Sequence, residues 1–207
     1  MYTASRYSYR LLHSNTRLKM DSSKRPTLLA VLNWEATIIP RAFATTFAIS
    51  EAEALDIFSD LKCLMWLLNE MNFDGTRAQG KVFYIDDSLL ILDEMWHTFI
   101  LHTKQYFHFC HTLFGEYIHH DPTDSFDAKE RKAELSQMPH AEMIEHVISE
   151  KRWQYQYVFA KLGKARFEKW YGDFHRKYSA ITLLQMRNLA FSGDDITQPI
   201  LKNEKIA

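Results

Sequence analysis

The chain is poor in residues that break or staple a backbone. Six Gly and five Pro among 207 residues are too few turn formers for a fold of many short strands. Two cysteines, Cys63 and Cys110, make no disulfide framework and fit a reducing compartment. No apolar run reaches the roughly 20 residues that a bilayer-spanning helix needs. An excess of one charge is also missing: 25 basic residues face 26 acidic ones, so no global field holds a nucleic-acid backbone or an anionic membrane. These absences exclude a disulfide scaffold and a membrane span, and they argue against nucleic acid as a partner. What is left is a cytoplasmic globular protein whose partner is a small molecule or another protein.

What is present is helical. Leu, Ala, Met, Glu, Lys and aromatic residues are plentiful, and the length suits one domain with a sizeable core. We expect an all-α single-domain irregular helical bundle over residues 26–190, with at most a short extended segment near residues 81–86. Residues 1–25 form a basic flexible N-terminal tail carrying six Lys or Arg and one acid, Asp21. Organelle targeting by this stretch is the alternative to a cytoplasmic location. Residues 191–207, with a Gly-Asp-Asp turn signal and a proline, form the C-terminal tail.

Within the domain, Leu28 to Ile39 predicts a first helix stopped at Pro40. Ser50 with Glu53 forms a capping box for a helix reaching Met71. Asp87 or Ser88 caps the next helix. A helix from Ala141 to Leu162 is closed by Gly163, and a last segment runs from Ala165 to Leu189 with Gly172 as its break.

Six of the ten histidines fall in Leu92 to Pro122, LDEMWHTFILHTKQYFHFCHTLFGEYIHHDP. On a wheel of about 100° per residue, Leu92, Met95, Trp96, Phe99, Tyr106, Phe107 and Cys110 share one arc, and Asp93, Glu94, His97, His108 and His111 the opposite one. His102, His108 and His111 read as solvated or boundary residues, and Cys110 as a small buried hydrophobe. Asp93 and His97 stand one turn apart, so their side chains point the same way, with Glu94 beside them. The string has the outline of His-Glu-x-x-His with the first ligand changed to carboxylate, and Glu94 takes the place of the catalytic base. An ordinary hydrogen bond between helix neighbours explains the same pair.

A third ligand decides between these readings, and His119 and His120 are its source. Were the helix unbroken to Phe114, His97 would lie about 27 Å from Gly115, and the residues beyond could return only about 14 Å. A bend at Thr103, with its hydroxyl capping a new helix from Lys104, brings the pair back. Asp93, His97 and one of His119 or His120 then make a three-ligand set suited to zinc or iron.

The spaced string Leu92-Asp93-Glu94-x-Trp96-His97, Ile100-Leu101-x-Thr103, Tyr106, Phe109-Cys110, Phe114-Gly115, His119-His120-x-Pro122 resembles the signature of the glycine-rich domain-containing protein-like family. The resemblance covers most of Leu28 to Trp170, and the chain looks like the compact single-domain microbial members without the glycine-rich extension. It implies a helical domain in which these polar residues share a role, and it brings no established general activity. Three functional classes follow: a helical protein with a polar or metal-binding pocket, enzymatic or sensory; a non-enzymatic interaction module in which the motif residues form a structural hydrogen-bond network; and an RNA binder, suggested by the tails of plant relatives and opposed by the charge balance.

Overall fold

The computed structural model describes residues 25–120, 133 and 135–192. Nearly all of the two expected tails, and Pro122, lie outside the described residues. Among the described residues the fold is all-α, with no strand. Eight helices carry it: α1 Leu28–Leu32, α2 Ile38–Phe47, α3 Glu51–Phe73, α4 Leu90–Leu101, α5 Thr103–Leu113, α6 His140–Glu168, α7 His175–Lys177 and α8 Ala180–Ser192. A π-helical turn, Lys169–Phe174, joins α6 to α7.

Helix α3 is the central element. Apolar residues are buried around its whole circumference, from Ala54 and Ile57 to Leu68 and Met71, with Asp60, Lys62, Asn69 and Glu70 buried among them. A helix apolar all round belongs inside a domain, and α1, α2, α4 and α6 pack about it. Its N-terminus is capped by Ser50, whose hydroxyl accepts the Glu53 N–H at 3.1 Å. The reciprocal half of the capping box is absent, because the Glu53 carboxylate instead takes Lys177 at 2.7 Å and the Tyr178 hydroxyl.

Pro40 does not stop the first helix. α1 ends at Leu32 and Pro40 stands in the first turn of α2, where a missing N–H costs nothing because first-turn donors have no helical partner. The ammonium of Lys62 reaches across from α3 to the carbonyls of Leu32 and Trp34, the latter at 3.0 Å, satisfying the end of α1.

Residues 81–86 are extended without being a strand. Phe83 and Ile85 are buried, and the backbone between them is served by a side chain: Gln154 Oε1 accepts the Tyr84 N–H and Gln154 Nε2 donates to the Tyr84 carbonyl, both at 2.9 Å. At the far end, Gly163 with φ 81° and ψ 172° divides α6 as expected, a backbone that L side chains rarely adopt. Gly172 is no break: it lies in the π turn, and the chain turns instead at Tyr178 and Ser179, whose hydroxyl accepts the Thr182 N–H at 3.2 Å.

Two ionic clusters tie α6 to α3. Asp60 is fully buried and receives Arg166 Nε at 3.0 Å and the Trp170 indole N–H at 2.8 Å on Oδ1. The Lys169 ammonium lies against Oδ2 in ion-pair contact. At the other end, Asp74 accepts the Tyr157 hydroxyl at 2.7 Å and the Thr76 N–H at 3.1 Å, and pairs with Lys161 at 2.8 Å. Glu70 binds Arg25 through two oxygens, which anchors the last residue of the expected tail.

Burial pushes the Asp74 carboxyl up, but Lys161, Thr76 and Tyr157 outweigh it and hold the group well below its ordinary 3.8. Because the folded state depresses this pKa, the stabilisation is complete above that ordinary value and is lost as pH falls below it. In urea titrations from pH 5 down to about pH 2, wild-type stability should therefore fall more steeply than that of Asp74→Asn. Equal slopes would show that the cluster contributes nothing through its charge.

Candidate functional site

The motif helix breaks where the joint site requires. His102, at φ −86° and ψ 60°, separates α4 from α5. No side-chain hydrogen bond caps α5, so the expected Thr103 cap is not there. The turn is held from the other side: His102 Nδ1 donates to the Thr98 carbonyl at 2.9 Å and the Thr98 hydroxyl to the Glu94 carbonyl at 3.0 Å. Nor do Asp87 or Ser88 cap α4, which begins after Leu89; the Asp86 carboxylate accepts the Ser88 N–H at 3.0 Å and its carbonyl the Leu89 N–H at 2.9 Å, a local turn that uses up the loop's donors.

The break also resets the helical phase. Tyr106, Phe109 and Cys110 are buried at helical spacing, whereas Phe107, placed on the apolar arc by a continuous wheel, is exposed. Phe99 sits at the centre of the junction, edge-on to Phe58, Tyr106 and Phe109 with ring centroids 5.1–5.3 Å apart. His108 and His111 are exposed, as their solvated reading has it. Cys110 is fully buried, as its reading as a small buried hydrophobe has it; burial pushes its thiol up to about 11 and the Cys63 thiol likewise, with the Arg166 guanidinium beside Cys63 pulling the other way.

After α5, Gly115 takes φ 77° and the chain doubles back. Its return is fixed by one hydroxyl. Tyr106 accepts the Trp96 indole N–H at 3.0 Å and donates to the carbonyl of Ile118. Two residues further, the His120 ring lies on Trp96, centroids 4.3 Å apart. Tyr106→Phe leaves two buried polar groups without this partner, and a loss of about 1–3 kcal/mol is expected in denaturant titration. Hydrogen exchange should quicken in residues 115–120 while α3 keeps its protection; uniform quickening would mean that Tyr106 serves the whole core and not this segment.

Asp93, His97 and His120 thereby meet. Asp93 Oδ1 is 3.0 Å from His120 Nε2, and Oδ2 is 3.6 Å from His97 Nδ1. The two imidazoles are parallel, with an interplanar angle of 3° and centroids 4.8 Å apart. One ligand atom from each of the three residues lies within 4.8 Å of the others. Asp93 and His120 form the floor, with side chains 6% and 1% exposed, and His97, at 44%, stands at the mouth. Asp93 thus leaves the polar face assigned by the wheel, because the returning segment covers it. Asp93 Oδ1 accepts no aligned hydrogen bond among the described residues, an unusual state for a buried carboxylate.

His119 is not in the cluster: it is exposed and its ring lies 5.7 Å from Tyr117. Glu94 is adjacent, with Oε2 4.0 Å from His97 Nδ1, an electrostatic contact too long for a hydrogen bond. Glu94 and Asp93 raise the His97 pKa above its ordinary 6.5, while burial and the Arg187 charge lower it. Arg187 comes from α8, with one Nη on Glu94. Sequence reasoning missed it, although a signal exists: Arg187 is the one charged residue in AITLLQMRNLAFS.

A protein-family model described as UCP032817-like matches residues 68–146, a stretch that holds Asp93, His97 and His120 but not Arg187. Comparison with curated proteins and with solved structures returned no match. Among the described residues, no helix is long and apolar enough to cross a membrane.

Proposed function

We propose that Asp93, His97 and His120 hold a divalent metal ion, zinc or iron, in a metal-dependent enzyme of the glycine-rich domain-containing protein-like type. The observation that carries this reading is the convergence of one carboxylate and two imidazoles, their ligand atoms within 4.8 Å. Such a mixed set suits a catalytic zinc or a non-haem iron and leaves positions open for substrate. Asp93 Oδ1, buried with only the His120 imidazole nitrogen against it at 3.0 Å and no aligned hydrogen bond among the described residues, is the kind of acceptor that a cation satisfies. Glu94 faces the same His97 nitrogen as Asp93, near enough to hold His97 through its charge. Its pairing with Arg187 favours that role over the role of general base, since an ion-paired carboxylate gives up basicity.

Metal content of full-length protein purified without an affinity tag tests the proposal. Wild type should carry about one ion per chain, Asp93→Ala and His97→Ala should lose it, and His119→Ala should keep it, as expected for a three-ligand site. Metal-free wild type overturns the reading.

One observation favours a second reading, an interaction module in which the same residues are structural. Parallel stacked rings aim their in-plane lone pairs past one another, so a shared ion requires the half-exposed His97 to turn about its χ2. A metal-free wild type that is destabilised by Asp93→Ala would support this network.

A further inference from the structure

We infer that Arg187 makes the mouth of this site a receptor for a small oxyanion, a carboxylate or phosphate group carried by the substrate. The inference deepens the metal-site reading and rests on it. Arg187 is held loosely for a residue that bridges two helices. One Nη meets Glu94, the guanidinium carbon lies 4.9 Å from the Phe47 ring centroid, and the buried Nε makes no hydrogen bond among the described residues. The side chain is 43% exposed, and the Glu94 Oε2 that it meets lies 4.0 Å from His97 Nδ1. A guanidinium offers five donors in a planar fork that matches an oxyanion, and this one commits a single nitrogen to Glu94.

Charge counting gives the direction. A divalent ion with neutral imidazoles, the carboxylates of Asp93 and Glu94, and the Arg187 cation sum to +2 − 2 + 1, a surplus of one positive charge. Without Arg187 the sum is zero. The preference for an anion at the mouth is therefore the contribution of Arg187. Glu94, whose Oε2 touches both Arg187 and the neighbourhood of His97, sets the distance between the cation and the ligand set.

The test uses full-length protein loaded with cobalt(II) and desalted, titrated by calorimetry with inorganic phosphate and, separately, with acetate at constant ionic strength. Saturable binding of either anion by wild type is expected. Arg187→Met should weaken it by about tenfold or more, with cobalt stoichiometry and thermal midpoint retained, and Arg187→Lys should recover part of the loss. Undiminished binding by Arg187→Met overturns the inference, and so does cobalt-loaded wild type that binds neither anion, an outcome that leaves the metal site standing. Wild type that takes up no cobalt overturns both.

Discussion

Asp60→Ala is expected to destabilise the fold by about 3–5 kcal/mol, the range for removing one partner of a buried ion pair. The carboxylate is fully buried and holds three groups from the other end of the domain: Arg166, Lys169 and the Trp170 indole. Deleting it leaves two cations that are three-quarters covered and an indole N–H without its acceptor. The cost comes from the Arg166 charge and the indole N–H left without Asp60 more than from the lost attraction, because Lys169 keeps Asp56 at 2.7 Å. Urea denaturation measures it, and the companion variant Asp60→Asn separates the contributions. Asn can still accept from Trp170 but cannot offset Arg166, so it should remain well below wild type. A loss under about 1 kcal/mol in Asp60→Ala would mean that both cations escape to water at no cost.

Trp96→Ala should be comparably severe, about 3–5 kcal/mol, since it empties a fully buried site of its largest side chain. It differs from the Asp60 variant in reaching the candidate site directly. Trp96 supplies the face on which His120 rests and the donor that Tyr106 accepts. Trp96→Phe keeps a ring under His120 and removes the N–H, and should cost nearer 1 kcal/mol beyond its smaller volume. If the two variants lose metal affinity in the same order as stability, the aromatic floor positions His120; if Trp96→Phe binds metal like wild type, the ring contact alone suffices.

The legibility of this fold varied with the range of the forces involved. Ser50 as a cap and the glycine break at 163 are local matters of backbone chemistry, and each stands where the residue types place it; the motif helix is interrupted next to Thr103, at His102, without the Thr103 cap expected to cause it. Pro40 was misread because proline is compatible with the first turn of a helix as well as with its end. The wheel failed at Phe107 because it assumes unbroken phase, which His102 breaks, and at Asp93 because it sees one helix alone and not the segment that returns to cover it. The joining of Asp93, His97 and His120 could be argued from chain length and bend, but the choice of His120 over His119 depends on the Tyr106 hydroxyl holding Ile118. Asp60 was out of reach, and Arg187 showed only as the lone charge of its helix, because each acquires its partners from more than 90 residues away.

The hairpin formed by α4, the His102 break and the segment pinned by Tyr106 also bears on the order of events during folding. Asp93 and His120 are joined through a short loop of chain, and closing a loop of that length costs about 3 kcal/mol in entropy. Asp60 and Trp170 are 110 residues apart, and their encounter must wait for α6 and the π turn to arrive. Contacts of low sequence separation are reached first in the diffusive search. The Asp93–His120 cluster is therefore expected to assemble ahead of the Asp60 cluster, with Arg187 reaching Glu94 last, so that under the proposed metal-site reading an ion present during synthesis would meet the three side chains before Arg187 arrives.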